Sequence, residues 1–346
     1  MCQTRPVRLG FALAILALAG SGPLWAGDAK YLVDHKGEAS INVGMKGDAA
    51  YRLAPADLAA YRRDRQRLVD LLLAQPAARP PIGVSLWVDA KAGSPVRASE
   101  LEHPTWPVPT LCYVHFNSII ESGGKAVWAN DSPVEMSVFV NDPEGCGFPS
   151  YSNGELRDSQ GHKIFYEPNE VAKIQGFTLY RDEHGTEILV LTRGHRPPWV
   201  PLTQEEFIRA WIRTMEKQLA ELGAYGKDPS NPLRLRLERH RTVLAGMSPA
   251  ERQAPALYLR SEDPFEPDLA PPGGQWSWPL VIANPQWFDP ALPRSAFQFI
   301  SVVFEYGPGF EPDDPQPDDV GAVESVRLSD MKRTSDWKTL SELLAP

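Results

Sequence analysis

Apolar residues recur at steps of three and four over residues 204–222, and this period is the clearest structural signal in the sequence. The stripe consists of Ile208, Ile212, Met215, Leu219 and Leu222. On a helix with 3.6 residues per turn these positions share one face. Thr203 precedes the stripe as an N-cap residue, Glu206 completes a capping-box pattern, and Gly223 supplies a stop. The pattern therefore predicts an amphipathic helix.

A second helix follows closely. Asn231 is a preferred N-cap residue, Pro232 suits the first helical position, and Gly246 marks the end. Two amphipathic helices joined by a short connection predict a helical hairpin that packs on a larger body. Ser248 predicts a further short turn of helix by the same capping logic.

An earlier helix is predicted from Pro55 to about Gln75. Four arginines crowd one part of it, namely Arg62, Arg63, Arg65 and Arg67. Aspartates interleave with them, which favours a solvated helix face over an anion-binding or membrane-binding patch. At the other end of the chain, Ser335 predicts the cap of a final short helix that contains Trp337.

Short segments with strand composition occupy much of the remaining chain. They are residues 39–43, 82–90, 111–121, 126–128, 134–140, 171–181, 186–192, 256–260, 278–283 and 297–306. Their close spacing predicts an antiparallel β-rich body, either a sandwich or a partial barrel. With the helical hairpin, the predicted fold class is α+β.

The N-terminal residues resemble an export signal rather than part of the fold. Arg5 and Arg8 precede an apolar run over residues 9–19, and small residues follow. We expect residues 1–26 to be a signal peptide and the protein to be periplasmic or secreted. Residues 27–200 then hold a helix and a β-rich region, and residues 201–346 hold the helical hairpin and a C-terminal β segment. These regions form either one domain or two.

Two cysteines, Cys112 and Cys146, follow the predicted signal. In an oxidising compartment a disulfide between them is expected, and it would stabilise the fold by roughly 4 kcal/mol in the chain-entropy model. Cysteines at this wide spacing do not resemble a C-x-x-C redox pair.

The net charge of −9 argues against a nucleic-acid partner, because phosphates require a basic surface. No apolar run after the signal is long enough to cross a membrane, so we expect no transmembrane segment. The histidines lack the close spacing of metal ligands, and no phosphate-binding glycine motif is present. We therefore predict neither a metal nor a cofactor.

Serine chemistry has weak support. Ser122, Ser329 and Ser335 each precede a lysine at the S-x-x-K spacing, but the partner motifs of penicillin-recognising enzymes are missing. Acid–base hydrolysis by two carboxylates is compatible with the sequence, which has 44 acidic residues and no pattern that selects two of them.

Four tryptophans lie in proline-rich segments, where flat apolar rings can bind sugars or peptides. They are Trp106, Trp276, Trp278 and Trp287. Loop tryptophans also serve as core residues, which is the alternative interpretation. The leading functional hypothesis is a non-enzymatic exported protein that binds a small molecule, a glycan or a protein. The alternatives are a secreted hydrolase acting on glycans or peptides, and a structural subunit of an envelope complex.

Overall fold

The structure, a computed structural model, describes residues 30–45, 47–93, 107–129, 134–145, 156–182, 185–192, 197–270, 277–284, 286–307, 309–311 and 322–345. Within these ranges it contains seven α-helices, a mixed sheet of ten strands and a second sheet of four strands. The predicted α+β class with a β-rich body is confirmed.

Helices are found in the N-terminal, central and C-terminal parts of the chain. They are α1 (Pro55–Leu73), α2 (Gln204–Glu221), α3 (Gly223–Gly226), α4 (Pro232–Gly246), α5 (Pro249–Gln253), α6 (Val323–Thr334) and α7 (Trp337–Ser341). Short 3-10 turns occupy Asp48–Tyr51 and Pro76–Ala78. The predicted helical hairpin is α2 with α4, and the predicted final helix is α7.

The strands fall into two groups. The large sheet consists of β1 (Lys30–Tyr31), β2 (Ala39–Val43), β3 (Val84–Ala92), β4 (Thr110–Ser122), β5 (Lys125–Trp128), β6 (Val134–Val140), β8 (Asn169–Ile174), β9 (Phe177–Arg181), β10 (Glu187–Leu191) and β14 (Ile300–Glu305). The small sheet consists of β7 (Ile164–Tyr166), β11 (Trp199–Pro201), β12 (Leu257–Tyr258) and β13 (Trp278–Ala283).

The large sheet has the order β2-β3-β4-β6-β14-β10-β9-β8, and β1 and β5 pair with the far end of β4. Its pairs are antiparallel except β2 with β3, which are parallel. Strand β14 lies between β6 and β10, so strands from both sides of residue 200 form one sheet. The small sheet also combines both parts of the chain, because β13 pairs with β7 and β11.

One face of the large sheet carries the main hydrophobic core. Alternate residues of β4, from Cys112 to Phe116, point into it and are almost fully buried. Helices α1, α6 and α7 cover this face through Tyr61, Met331 and Trp337 among others. The period-2 alternation of β4 thus separates a dry face from a polar one.

The small sheet packs on the opposite face, over the half formed by β14, β10 and β9. Ile188 and Val303 of the large sheet meet Phe165, Trp199 and Val281 of the small one. The polar residues of β3, β4 and β6 lie on this same face, beside the covered area.

The helical hairpin packs on the small sheet as an extension of the same core. Phe207 and Ile208 of α2 contact Leu280 in β13. The side chain of Thr203 accepts a hydrogen bond from the backbone N–H of Glu206, with 3.2 Å between Oγ1 and N, which confirms the N-cap. The carboxylate of Glu206 instead accepts a hydrogen bond from the backbone N–H of Ser159 at 3.2 Å.

Two local predictions are wrong in part. The predicted strand over 171–181 is a hairpin, since Gln175 and Gly176 turn the chain with φ values of 53° and 95°. Two successive residues with positive φ are typical of a two-residue hairpin turn. The predicted solvated arginine face of α1 contains one buried member, because Arg65 makes a bidentate ion pair with Asp48 at 2.7 and 3.1 Å.

The structure does not support the predicted disulfide. Cys112 is a fully buried free thiol, and Cys146 lies outside the described residues. Burial, with a smaller contribution from Asp89, raises the pKa of Cys112 to about 12. A thiol that stays protonated at neutral pH is a poor nucleophile, so Cys112 behaves as a core residue.

Candidate functional site

The structure separates the predicted ligand-binding tryptophans. Trp106 and Trp276 lie outside the described residues. Trp287 packs edge-on against Phe299, with 5.9 Å between ring centroids, and its Nε1 donates to the carbonyl of Gln298 at 3.2 Å. Trp287 therefore contributes to the contact between the two sheets. Trp278 remains 49% exposed and lines a pocket.

This Trp278 pocket has a volume of about 390 Å³, within the usual range for small-molecule sites. Three aromatic side chains line it. Tyr258 lies between the other two, with 6.1 Å from its ring centroid to that of Trp278 and 5.6 Å to that of Tyr166. The pocket therefore presents several aromatic surfaces to one ligand.

Strand pairing places these rings together. Tyr258 of β12 is directly opposite Trp278 of β13 in the antiparallel register, and Tyr166 of β7 lies opposite Leu280 of β13. The remaining lining comes from the β7–β8 connection, from the end of β9 and from Arg260, which follows β12. Residues of both sheets therefore line the pocket.

Charged groups of both signs surround the pocket. Glu167 and Arg260 are exposed, and the described residues offer neither side chain a hydrogen bond or an ion pair. Arg181 is held by Glu187, with 2.7 Å between Nη2 and Oε1. Asp182 accepts a hydrogen bond from the backbone N–H of Thr186 at 2.8 Å. The pocket can therefore donate hydrogen bonds to a ligand from Arg260 and accept them at Glu167.

A second group of polar residues begins beside the pocket and crosses the large sheet. Pairing places Trp87 opposite His115, His115 opposite Glu135, and Glu135 opposite Glu305. The antiparallel register of Glu187 with Phe304 places the preceding residue, Thr186, beside Glu305. The backbone N–H of Asp182 in turn donates to the carbonyl of Thr186 at 3.0 Å. Because side chains alternate between faces, this cross-strand row of Trp87, His115, Glu135, Glu305 and Asp182 shares one face of the sheet.

Trp87 ends the row as part of an aromatic stack. Its ring is nearly parallel to that of His115, with 4.8 Å between centroids and an interplanar angle of 20°. The ring of Tyr113 also stacks with that of His115, with 5.8 Å between ring centroids. Trp87 nevertheless remains 43% exposed, so much of its indole is open to a ligand.

The two glutamates of the row have opposite pKa shifts. Burial opposes ionisation of Glu135, but contacts with His115 and Ser137 outweigh it and lower the pKa of Glu135. Nδ1 of His115 lies 3.1 Å from Oε2 of Glu135, and the Ser137 hydroxyl donates to Oε1. Partial burial, followed by repulsion from Glu135 and Asp182, raises the pKa of Glu305. Adjacent carboxylates with diverging pKa values are a common feature of acid–base sites.

The other residues considered for catalysis or metal binding do not form a candidate site. Ser122 is exposed but begins the β4–β5 hairpin turn, and Ser329 and Ser335 are buried, so none of the S-x-x-K matches places an exposed serine at a helix N-terminus. His162 Nδ1 lies 2.8 Å from Asp158, whose carboxylate also accepts the His162 backbone N–H, as in a turn-stabilising contact. Among the described residues, no group of three or more His, Cys, Asp or Glu side chains is arranged to hold a metal ion.

His240 predicts a pH effect on stability. It is fully buried against Trp211, and its Nε2 atom has no hydrogen-bond partner among the described residues. Burial lowers the pKa of His240 to about 4, and Arg236 adds to this although the Arg236 carbonyl, Asp268 and Glu266 oppose it. Below pH 6.5 His240 binds a proton in the unfolded chain but stays neutral in the folded protein until the pH approaches 4. Stability should therefore fall between pH 6.5 and 4, by up to about 3 kcal/mol.

Urea unfolding at the two ends of this pH range measures the loss of stability in the wild type and in His240→Gln. The substitution retains an amide donor for the Arg236 carbonyl, which accepts from Nδ1 at 2.9 Å. The variant should lose less stability on acidification, by about 3 kcal/mol, because it lacks the titrating group. Parallel losses in the two proteins would contradict the role assigned to His240.

Comparison of the chain with profiles of known protein families, with curated proteins and with solved structures finds no match. In the part of the chain that the structure describes, no helix combines the length and the apolar character needed to cross a membrane.

Sequence reasoning selected Trp278 but missed its partners. Tyr166 and Tyr258 lie in strands of three and two residues, too short for a clear period. Glu135 and Glu305 each have a strand position that alternation could assign to a face. Their pairing was not predictable, because β6 and β14 are separated by much of the chain.

Proposed function

We propose that this protein is an exported, non-enzymatic binding protein that takes a carbohydrate in the Trp278 pocket. The observation that carries the proposal is the convergence of Tyr166, Tyr258 and Trp278 on one pocket of about 390 Å³. Aromatic rings offer flat apolar surfaces to the C–H faces of a sugar, while polar groups at the rim fix its orientation.

The rim supports a polyhydroxyl ligand better than a purely apolar one. A sugar hydroxyl both donates and accepts hydrogen bonds. Arg260 supplies donors, and Glu167 supplies acceptors, on the same pocket. Export is proposed from the basic, apolar and small-residue order of residues 1–26, which places the protein where glycans of the cell envelope or surroundings occur.

Replacing Trp278 by alanine should weaken saccharide binding about tenfold or more, as expected for an aromatic residue central to a binding site. Tryptophan fluorescence or calorimetry with disaccharides of glucose, glucosamine and N-acetylglucosamine measures this effect. Trp128→Ala is the matched control, because Trp128 is also 49% exposed but lies in β5, outside the pocket lining. Equal losses in both variants, or no binding by the wild type, would count against the proposal.

A secreted hydrolase is the second candidate, and one observation favours it. Glu135 and Glu305 are cross-strand neighbours, and their pKa values shift in opposite directions. In this candidate Glu305, whose pKa is raised, would be the general acid toward a glycosidic oxygen, and Glu135, whose pKa is lowered, would act on water or on the anomeric carbon. Chromatography of a hexasaccharide incubated with the protein tests this candidate. Product formation that disappears in both Glu135→Gln and Glu305→Gln would replace the binding proposal with this one.

A further inference from the structure

We infer that the carbohydrate is an unbranched chain bearing free amines, which extends from the Trp278 pocket along the cross-strand row to Trp87. This inference rests on the proposed function and specifies its ligand class. Three features carry it: the continuity of the row with the pocket, the aromatic stack at its far end, and the Glu305 carboxylate between them, with which no described side chain pairs.

Asp182 makes the row continuous with the pocket. It lines the pocket and also occupies the end of the row, directly after β9. From β9 to β3 the row crosses five strand-to-strand steps, which at about 4.8 Å each span about 24 Å. A ligand confined to the pocket would leave this length unused, whereas a linear chain can follow it.

The far end of the row repeats the chemistry of the pocket. Trp87 offers a 43% exposed indole whose ring is supported by His115. Cross-strand stacking holds the ring in one orientation, so little side-chain entropy is lost when a sugar packs on it. Aromatic surfaces therefore lie at both ends of the proposed chain.

The charge between the two aromatic ends specifies the ligand further. Glu305 is exposed, and among the described residues its carboxylate has no hydrogen bond or ion pair. Its charged neighbours on the row are Glu135 and Asp182, both acidic. A cation bound at Glu305 would offset the repulsion that Glu135 and Asp182 exert on its carboxylate. An ammonium group on a sugar provides that charge, whereas an acidic polysaccharide would add to the repulsion.

The test compares four ligands: the disaccharide and the hexasaccharide of glucosamine, and the same two lengths of N-acetylglucosamine. The wild type should bind the glucosamine hexasaccharide about tenfold or more tightly than the disaccharide. Trp87→Ala should reduce hexasaccharide affinity to that of the disaccharide and leave disaccharide affinity unchanged. Trp128→Ala, which removes a similarly exposed indole, should change neither.

Glu305→Gln tests the charge. It should weaken binding of the glucosamine hexasaccharide about threefold to fivefold at low salt, which is within the range of an exposed ion pair. Binding of the N-acetylated hexasaccharide should not change. Equal affinity of the wild type for the two hexasaccharides would overturn the assignment of free amines.

The outcomes distinguish this inference from the proposed function. If disaccharides bind and depend on Trp278, but hexasaccharides bind no more tightly, the extended chain is wrong and the pocket proposal stands. If hexasaccharides gain affinity that Trp87→Ala leaves intact, the chain follows another path and the inference is overturned. If no saccharide of either length binds, both fail.

Discussion

Glu187→Gln should destabilise the protein by about 3–5 kcal/mol, because it removes one partner of a buried ion pair. The Glu187 side chain is fully inaccessible to solvent. Its Oε2 accepts hydrogen bonds from Lys332 Nζ at 2.5 Å and from the Tyr306 hydroxyl at 3.0 Å. Its Oε1 accepts from Arg181 Nη2 at 2.7 Å. This carboxylate therefore joins α6 to the centre of the large sheet.

The magnitude follows from the burial of Lys332, whose side chain is only 6% exposed. Without the Glu187 carboxylate, the ammonium group must remain charged and unpaired, lose its proton, or move to solvent. Each of these outcomes costs several kcal/mol or disrupts the packing of α6. Since a domain of this kind is stable by only about 5–15 kcal/mol, the loss is a large part of the total.

Urea unfolding measures the effect as a lower transition midpoint with an unchanged slope. Glu121→Gln is the matched control, since Glu121 binds Lys30 at 2.7 Å with side chains 40% and 73% exposed. The same chemical change there should cost less than about 1 kcal/mol. Glu187→Leu combined with Lys332→Met should cost less than either single replacement, because the buried ammonium and carboxylate are removed together and the Arg181 guanidinium that remains is 28% exposed to solvent. A loss below about 1 kcal/mol in Glu187→Gln would show that solvent reaches Lys332.

Trp337→Ala should destabilise the protein by about 3–5 kcal/mol, the usual cost of removing a large buried aromatic side chain. Trp337 is 1% exposed and packs edge-on against Phe304 of β14, with 5.9 Å between ring centroids. Its Nε1 donates to the Lys332 carbonyl at 2.9 Å. The substitution therefore leaves a cavity and an unpaired carbonyl between α7 and the sheet.

Thermal or urea unfolding measures this loss, with Trp128→Ala as the exposed control. Trp128 lies in β5, all of whose residues are exposed, so its replacement should change stability by about 0.5 kcal/mol or less. Trp337→Phe should recover much of the stability, because it restores aromatic volume without the indole N–H. Similar losses for Trp337→Ala and Trp128→Ala would mean that α7 contributes little to the fold.

Five of the seven described helices were predictable because their signals are local, whereas α3 and α6, which lack a side-chain cap, were not predicted. Thr203, Asn231 and Ser248 were predicted to cap helices, and in each case the side chain accepts a hydrogen bond from a backbone N–H of the first turn. The final helix was also predicted, although its cap is Asp336 rather than Ser335. A cap involves residues two or three positions apart, so tertiary contacts are not needed to recognise it.

The turn at Gln175 was not predictable in the same way. Apolar and polar residues alternate on both sides of it, and a non-glycine residue with positive φ is uncommon. In the tertiary structure, Gln175 Nε2 donates to the Ser335 carbonyl at 2.7 Å, which ties this turn to the start of α7. The partner is 160 residues away in the sequence.

The candidate site also combines a residue that the sequence selected with partners that only the tertiary structure shows. Composition and proline-rich surroundings selected Trp278, but the aromatic partners that define the pocket come from separate short strands. Likewise, the solvated-face interpretation of α1 missed Arg65, because Asp48 reaches it from the preceding turn. A charge pattern on one helix does not reveal which side chains from other segments will pair with it.

The sequence by itself determined the α+β class, the positions of α1, α2, α4, α5 and α7, and the alternation that assigns strand residues to faces. All of these depend on interactions among residues close in the chain or on a regular period. Tertiary structure alone decided that β14 lies between β6 and β10, that Glu187 meets Lys332, and that Glu305 lies beside Glu135. The physical reason is that alternation gives the face on which a residue lies but not the strand beside it, because the neighbouring strand is chosen by the packing of the whole core.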